Sequence, residues 1–146
     1  MIDAGRVIQV GAPEEIYHHP ASRFVADFIG ESNILEGAVA DGAFRILGGI
    51  PAPCDLPAFA EREATALVVR PESLRIDPDG VVAAEVVSIS FLGPVTRLAL
   101  QAAGSDQLLI ATVPSRYGQS ARGADLAVGD HVRLSWDAGA AHPLTT

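Results

Sequence analysis

From Asn33 onward no apolar run lasts long before Gly, Pro or Asp interrupts it. The runs fall at residues 34–39, 43–47, 66–70, 81–92, 95–101, 108–113 and 131–136. They have the lengths of strands, and turn residues separate them at close intervals. Such a chain is predicted to close into a small all-β barrel or sandwich. The last run is the clearest, because Val132, Leu134 and Trp136 alternate with His131, Arg133 and Ser135 in a half-buried pattern. Residues 81–92 are apolar at odd and even positions alike, which predicts a strand that crosses the core or an interface. Residues 116–125 read as a loop, and the tail after Trp136 is expected to fray.

The first thirty residues have a different character. Residues 1–11 read as one short strand between turns, with Asp3-Ala4-Gly5 before it and Gly11 after it. Pro13 stands where a helix can start, and Glu14 and Glu15 put negative charge in its first turn. Beyond Pro20 a second helix is predicted, with Ala21, Phe24, Val25, Phe28 and Ile29 on one apolar stripe and Gly30 as its stop. A lone strand cannot bury its faces, and two short helices need something to pack on. Residues 1–30 are therefore expected to be the end of a larger α/β domain, and residues 31–146 the β-rich domain. The stripe is expected to find cover on that β-domain, on a second copy or in a swapped arrangement.

Charge narrows the function. Eighteen acidic residues face ten arginines, and the chain has no lysine, for a net charge of −8. Proteins that track phosphates draw their affinity from clustered Lys and Arg, and these arginines are scattered. Nucleic acid and anionic lipid surfaces are thus disfavoured as partners, and five Phe, two Tyr and one Trp give few platforms for stacking bases. No apolar run approaches about 18 residues, so no membrane insertion is expected. The opening MIDAGRVIQVG lacks the cationic and apolar regions of a secretory signal. Cys54 is the single cysteine, which excludes an internal disulfide and fits a reducing compartment.

Candidate chemical groups are sparse. His18 and His19 are adjacent and would face different directions on a helix, so no shared metal site is expected there. His131 falls on the solvent side of its strand and His142 in the tail, with no cluster expected around either. Cys54 lies in the turn-like Pro51-Ala52-Pro53-Cys54-Asp55 without a basic neighbour, which reads as a plain thiol. No G-x-S-x-G elbow accompanies the Ser, His and Asp residues. Arg70-Pro71-Glu72 is the most distinctive local element. Pro71 ends the preceding strand, and Arg70 with Glu72 is expected to form an ion pair at a rim, in a strand-ending turn or an interface.

Residues 5–37, GRVIQVGAPEEIYHHPASRFVADFIGESNILEG, resemble the junction that follows the nucleotide-binding domain in ATP-binding subunits of ABC-type importers. The matching positions are Gly5, Arg6, Gln9 and Gly11; then Ala12, Pro13, Glu15, Ile16, Tyr17 and Pro20; then Phe24, Val25, Ala26, Phe28, Ile29, Gly30 and Asn33. The remainder resembles the TOBE regulatory domain of that family, through Arg70-Pro71-Glu72 with Leu74-Arg75, Phe91-Leu92-Gly93, and Gly129-Asp130 with Val132 and Trp136.

The resemblance implies a mainly β, OB-like small barrel preceded by a short strand and two short helices. It implies a non-catalytic domain that packs against a second copy of itself or against the parent ATPase subunit, and that reaches permease subunits through that parent on the cytoplasmic side of the membrane. In its finer details it is similar to the subgroup importing polyamines, ferric iron and related solutes. The possible interface or regulatory residues are Arg70, Pro71, Glu72, Phe24, Phe28 and Trp136; catalytic, cofactor-binding and metal-binding residues are not expected. ATP and Mg would belong to the parent protein, because no G-x-x-x-x-G-K-[ST] loop and no LSGGQ signature occur here, and a chain without lysine cannot supply the phosphate-contacting Lys. The alternative is a free-standing cytoplasmic OB-like domain that binds a small ligand.

Overall fold

The chain opens on a two-strand ribbon, β1 (Ile2–Asp3) antiparallel to β2 (Arg6–Val7), where a single strand was expected. Two helices follow, α1 (Pro13–His18) and α2 (Arg23–Ile29). Pro13 occupies the first turn of α1 with Glu14 and Glu15, as the macrodipole favours. α2 starts two residues later than its apolar stripe, because Ser22 caps it: the Val25 amide donates to Ser22 Oγ at 3.3 Å. Its end at Gly30 is an extended residue (φ 174°) rather than a left-handed turn.

The strands after α2 are β3 (Asn33–Ala40), β4 (Ala43–Ile46), β5 (Ile50–Pro51), β6 (Ala66–Val69), β7 (Arg75–Ile76), β8 (Val82–Leu92), β9 (Val95–Ala102), β10 (Leu108–Pro114), β11 (His131–Ser135) and β12 (Ala141–Leu144). The mainly β class is as expected. The computed structural model describes residues 2–3, 6–7, 11–20, 22–47, 49–55, 64–115 and 126–144; of these, residues 2, 3, 6, 7, Phe24, Phe28 and Ile29 are described by backbone alone. The expected loop at 116–125 lies outside the described residues. Two compact units divide the chain, Met1–Val69 with Asp137–Thr146, and Arg70–Trp136. These boundaries differ from the change of sequence character at residue 30.

The first unit is built on an antiparallel sheet of order β12-β6-β3-β4-β5. All four residues of β6 are buried, which fits an interior position between β12 and β3. Ala66 and Val68 share one face with Ile34 of β3 and Leu144 of β12, and buried Ala26 of α2 packs on that face. Exposed Arg23 at the start of α2 pairs with Glu36 of β3. Cover for α2 thus comes from the sheet of its own unit, through Ala26. Val25 of the predicted stripe is also fully buried, whereas Ala21 and the side chains of Phe24, Phe28 and Ile29 lie outside the described residues.

β12 replaces the expected frayed tail. Its sequence, AHPL, has no β-branched residue and a proline, both poor strand signals. The proline is tolerated because β12 is an edge strand, and the pairing of Ala141–Leu144 with β6 buries Ala141, Pro143 and Leu144.

The second unit holds an antiparallel sheet of order β10-β9-β8-β11-β7. Gly93 and Pro94 join β8 to β9, and Gly93 has φ +80°, the positive value that two-residue hairpin turns require at that position. The double-sided apolar look of residues 81–92 has a different cause from the one expected. The ladder pairs Val86 with Leu100 but Ser88 with Ala99, so Val87 is a bulge. Val82, Ala84 and Val86 are buried before it, and Ile89 and Phe91 continue on the same face of the strand after it, where they are exposed. One apolar face with a slipped phase had read as two. In β11 the expected alternation holds, with Leu134 and then Trp136 buried, and His131 and Arg133 exposed.

Candidate functional site

The unbulged half of the second unit's sheet carries a row of polar side chains across three strands. His131 of β11 stands opposite Glu85 of β8, and Glu85 stands opposite Gln101 of β9. His131 Nε2 lies 3.9 Å from Glu85 Oε1. One step along, Arg133 faces Ala83, and its Nε donates to the Gly80 carbonyl at 2.7 Å. These residues line an open cleft of about 630 Å³, closed at one end by the β9–β10 turn, where Gln101 Nε2 donates to the Ser105 carbonyl at 3.2 Å. An acid, a base and two hydrogen-bonding side chains around such a volume can hold a small polar ligand. The alternation in the sequence places His131 and Arg133 on the outward side of their strand; Glu85 and Gln101 join them only through strand register, which alternation alone does not give.

Beyond the bulge the same sheet turns apolar and exposed. Ile89, Phe91 and Leu92 reach 38%, 71% and 55% exposure around the Gly93-Pro94 turn. Ile89, Phe91, Leu98, Val113 and Leu126 line a shallow hollow there. Ser115 Oγ donates to the Gly93 carbonyl at 2.6 Å, which ties the end of β10 to the hairpin turn. In the sequence Phe91-Leu92-Gly93 served only as part of the TOBE resemblance.

Of the residues singled out beforehand, Arg70 is buried, Pro71 is buried and Glu72 is exposed. Pro71–Ser73 is a single 3-10 turn that starts just after β6 ends and packs against β10. Trp136 is 1% exposed, which makes it a core residue and removes it from any surface for a partner. Phe24 and Phe28 belong to α2 by backbone, and their side chains lie outside the described residues. The six residues therefore do not form one exposed patch. Cys54 is half-buried, and burial, helped by Asp55, pushes its thiol up from the ordinary value, away from nucleophilic use.

One pairing is absent from the sequence reading. His19, which caps the C-terminus of α1, and His142 of β12 lie side by side, with their Nδ1 atoms 3.3 Å apart. Their separation of 123 positions hid them from any local pattern. Burial holds the His142 imidazole below its ordinary pKa, the neighbouring His19 acts the same way, and a hydrogen bond to the Pro20 backbone opposes both. Among the described residues no group of three or more His, Cys, Asp or Glu could hold a metal, and no helix is long and apolar enough to cross a membrane.

A family model described as TOBE domain matches residues 67–144, just over half of the sequence. The chain belongs to the TOBE domain family. The TOBE region begins in β6 and ends with β12, two strands that are hydrogen-bonded neighbours, so its ends meet in one ladder. The cleft and the exposed hairpin both lie inside it. Relatives extend the similarity to the N-terminal segment. The spermidine/putrescine import ATP-binding protein PotA of Rubrobacter xylanophilus is 40% identical over 94% of this TOBE chain and 38% of its own length. The PotA of Borreliella afzelii is 34% identical over 82% of the chain and 35% of its own. The sulfate/thiosulfate import ATP-binding protein CysA 2 of Chromobacterium violaceum is 38% identical over 75% and 31% respectively. The TOBE chain thus spans well under half the length of these relatives.

Proposed function

We propose that this chain is the regulatory and dimerisation module of an ATP-binding subunit of an ABC-type importer, and that it does not itself hydrolyse ATP. The observation that carries the reading is the match to the import ATP-binding protein PotA of Rubrobacter xylanophilus over 94% of the chain, with the TOBE region as its core. In this reading residues 1–30 are the last part of a nucleotide-binding domain and residues 31–146 the regulatory domain. ATP and Mg bind elsewhere in the parent subunit, which meets the permease subunits at the cytoplasmic face of the membrane. Polyamine is the solute class favoured by the names of several relatives, and sulfate import by CysA 2 keeps a related solute open; ferric iron rests on the sequence resemblance alone.

The surface for the second copy is assigned to the β8–β9 hairpin, where Ile89, Phe91 and Leu92 leave apolar area exposed that burial would stabilise by roughly 25 cal/mol per Å². The polar cleft of Glu85, Gln101, His131 and Arg133 supports a sensing role within the same module, and equally the reading of a free-standing ligand binder. The proposal is tested by incubating the purified chain with Mg·ATP and measuring released phosphate. No release above a buffer blank is expected, and turnover removed by no purification step would contradict it. Titrating spermidine and sulfate separately against thermal stability then asks whether the cleft takes either solute.

A further inference from the structure

We propose that the polar cleft of the second unit binds an ω-amino acid, its carboxylate on Arg133 and its ammonium on Glu85 and Gln101. This rests on the sensing role given to the cleft and names its ligand class. The hydrogen-bond partners of the lining carry it. Arg133 uses Nε on the Gly80 carbonyl at 2.7 Å, and among the described residues its two terminal nitrogens have no partner. Those nitrogens form the fork that pairs bidentately with a carboxylate. Glu85 meets only His131, at 3.9 Å, which is too long for a hydrogen bond. Gln101, opposite Glu85, commits Nε2 to the Ser105 carbonyl, which leaves its Oε1 as an acceptor. The Arg133 end of the cleft thus offers donors, and the Glu85 and Gln101 end offers acceptors.

Charge decides the class. A lone ammonium is attracted by Glu85 and repelled by Arg133, and a lone anion meets the reverse, whereas a molecule carrying both charges is attracted at both ends. Spacing decides the length. Arg133 and Glu85 are diagonal neighbours in the β11–β8 ladder, where Cα atoms stand about 7–8 Å apart. Gly80 abuts the Leu134 backbone, so it holds Arg133 from the side away from the His131–Glu85 row. The tether keeps the guanidinium from closing on Glu85, and the two form no ion pair. An α-amino acid, with both charges on one carbon, is too short to satisfy both ends; an ω-amino acid separates them along its chain. Ala83, opposite Arg133, and Ala103, hydrogen-bonded to it from β9, line the cleft with methyl groups that suit such a chain. The cleft of about 630 Å³ has ample room for it.

The test is a calorimetric titration of the purified chain with 5-aminopentanoate at low salt near pH 7.5. Glycine carries the same two charges on one carbon, and pentanoate and pentylamine carry one charge each. One 5-aminopentanoate per chain is expected, bound at least about tenfold more tightly than any of the three comparison compounds. Glu85→Gln keeps the side chain's shape, removes its charge and should weaken binding at least about tenfold. Arg133→Lys should do the same by losing the fork, with circular dichroism to check the fold. No stoichiometric binding, equal affinity for glycine, pentanoate or pentylamine, or affinity unaltered in Glu85→Gln would each overturn the proposal. The phosphate-release assay is independent of this titration. A chain that binds no ω-amino acid and releases no phosphate keeps the non-catalytic reading, and ATP turnover would remove that reading without touching the titration.

Discussion

Gly80 and the Leu134 backbone approach so closely that a methyl group on Gly80 would lie 2.5 Å from the Leu134 carbonyl oxygen. The contact draws the turn before β8 onto β11, and Arg133 seals it by donating to the Gly80 carbonyl. Gly80→Ala has no room, because the obstructing atoms are backbone. It should destabilise the chain by about 1–3 kcal/mol, as overpacking does. Urea denaturation of Gly80→Ala beside Gly139→Ala checks this; at Gly139 a new methyl would meet nothing nearer than 3.9 Å, and little change is expected.

The docking of α2 on its sheet turns on Ala26, which is fully buried against Ala66, Val68 and Leu144. Ala26→Asp would bury a carboxylate there, at a cost of about 3 kcal/mol or more if the helix stays in place. Urea midpoints for Ala26→Asp and for Asp27→Ala, an exposed neighbour, distinguish docking from a free helix. Equal midpoints would mean that α2 does not depend on this face.

His142 gives the chain a pH dependence of defined sign. In the fold its pKa is lowered, first by burial and then by His19, and in the unfolded chain it returns toward the ordinary value of 6.5. As pH falls through that value the unfolded chain takes up a proton that the folded chain refuses, so stability falls with pH. The loss begins below about pH 7, deepens through the window under 6.5, and stops changing once the folded ring is also protonated. Denaturation midpoints taken in EDTA between pH 7.5 and 5.5 should decline in the parent chain and decline less in His142→Gln.

Much of the fold was legible in the sequence because local rules govern it. Pro13 with Glu14 and Glu15 announced α1, and the alternation of Leu134 and Trp136 with Arg133 and Ser135 announced β11. What was not legible depends on partners far along the chain. β12 is a strand because β6 offers it an edge, not because Ala141–Leu144 favours one. The bulge at Val87 inverted the phase of β8 and so imitated a strand buried on both faces. The candidate sites suffered most. Trp136, named as a possible interface or regulatory residue, is buried, while the row of His131, Glu85 and Gln101 exists only once three strands are in register.

The module is proposed to hold two subunits together, without catalysis of its own, through the exposed end of its β8–β9 hairpin. Sedimentation velocity of the purified chain over a concentration series tests it most directly, with Phe91→Ser alongside. Phe91 is 71% exposed, so its replacement should leave the fold intact. A concentration-dependent dimer that Phe91→Ser shifts to monomer is the predicted result. A chain that stays monomeric at every concentration, or a dimer indifferent to Phe91→Ser, would contradict it.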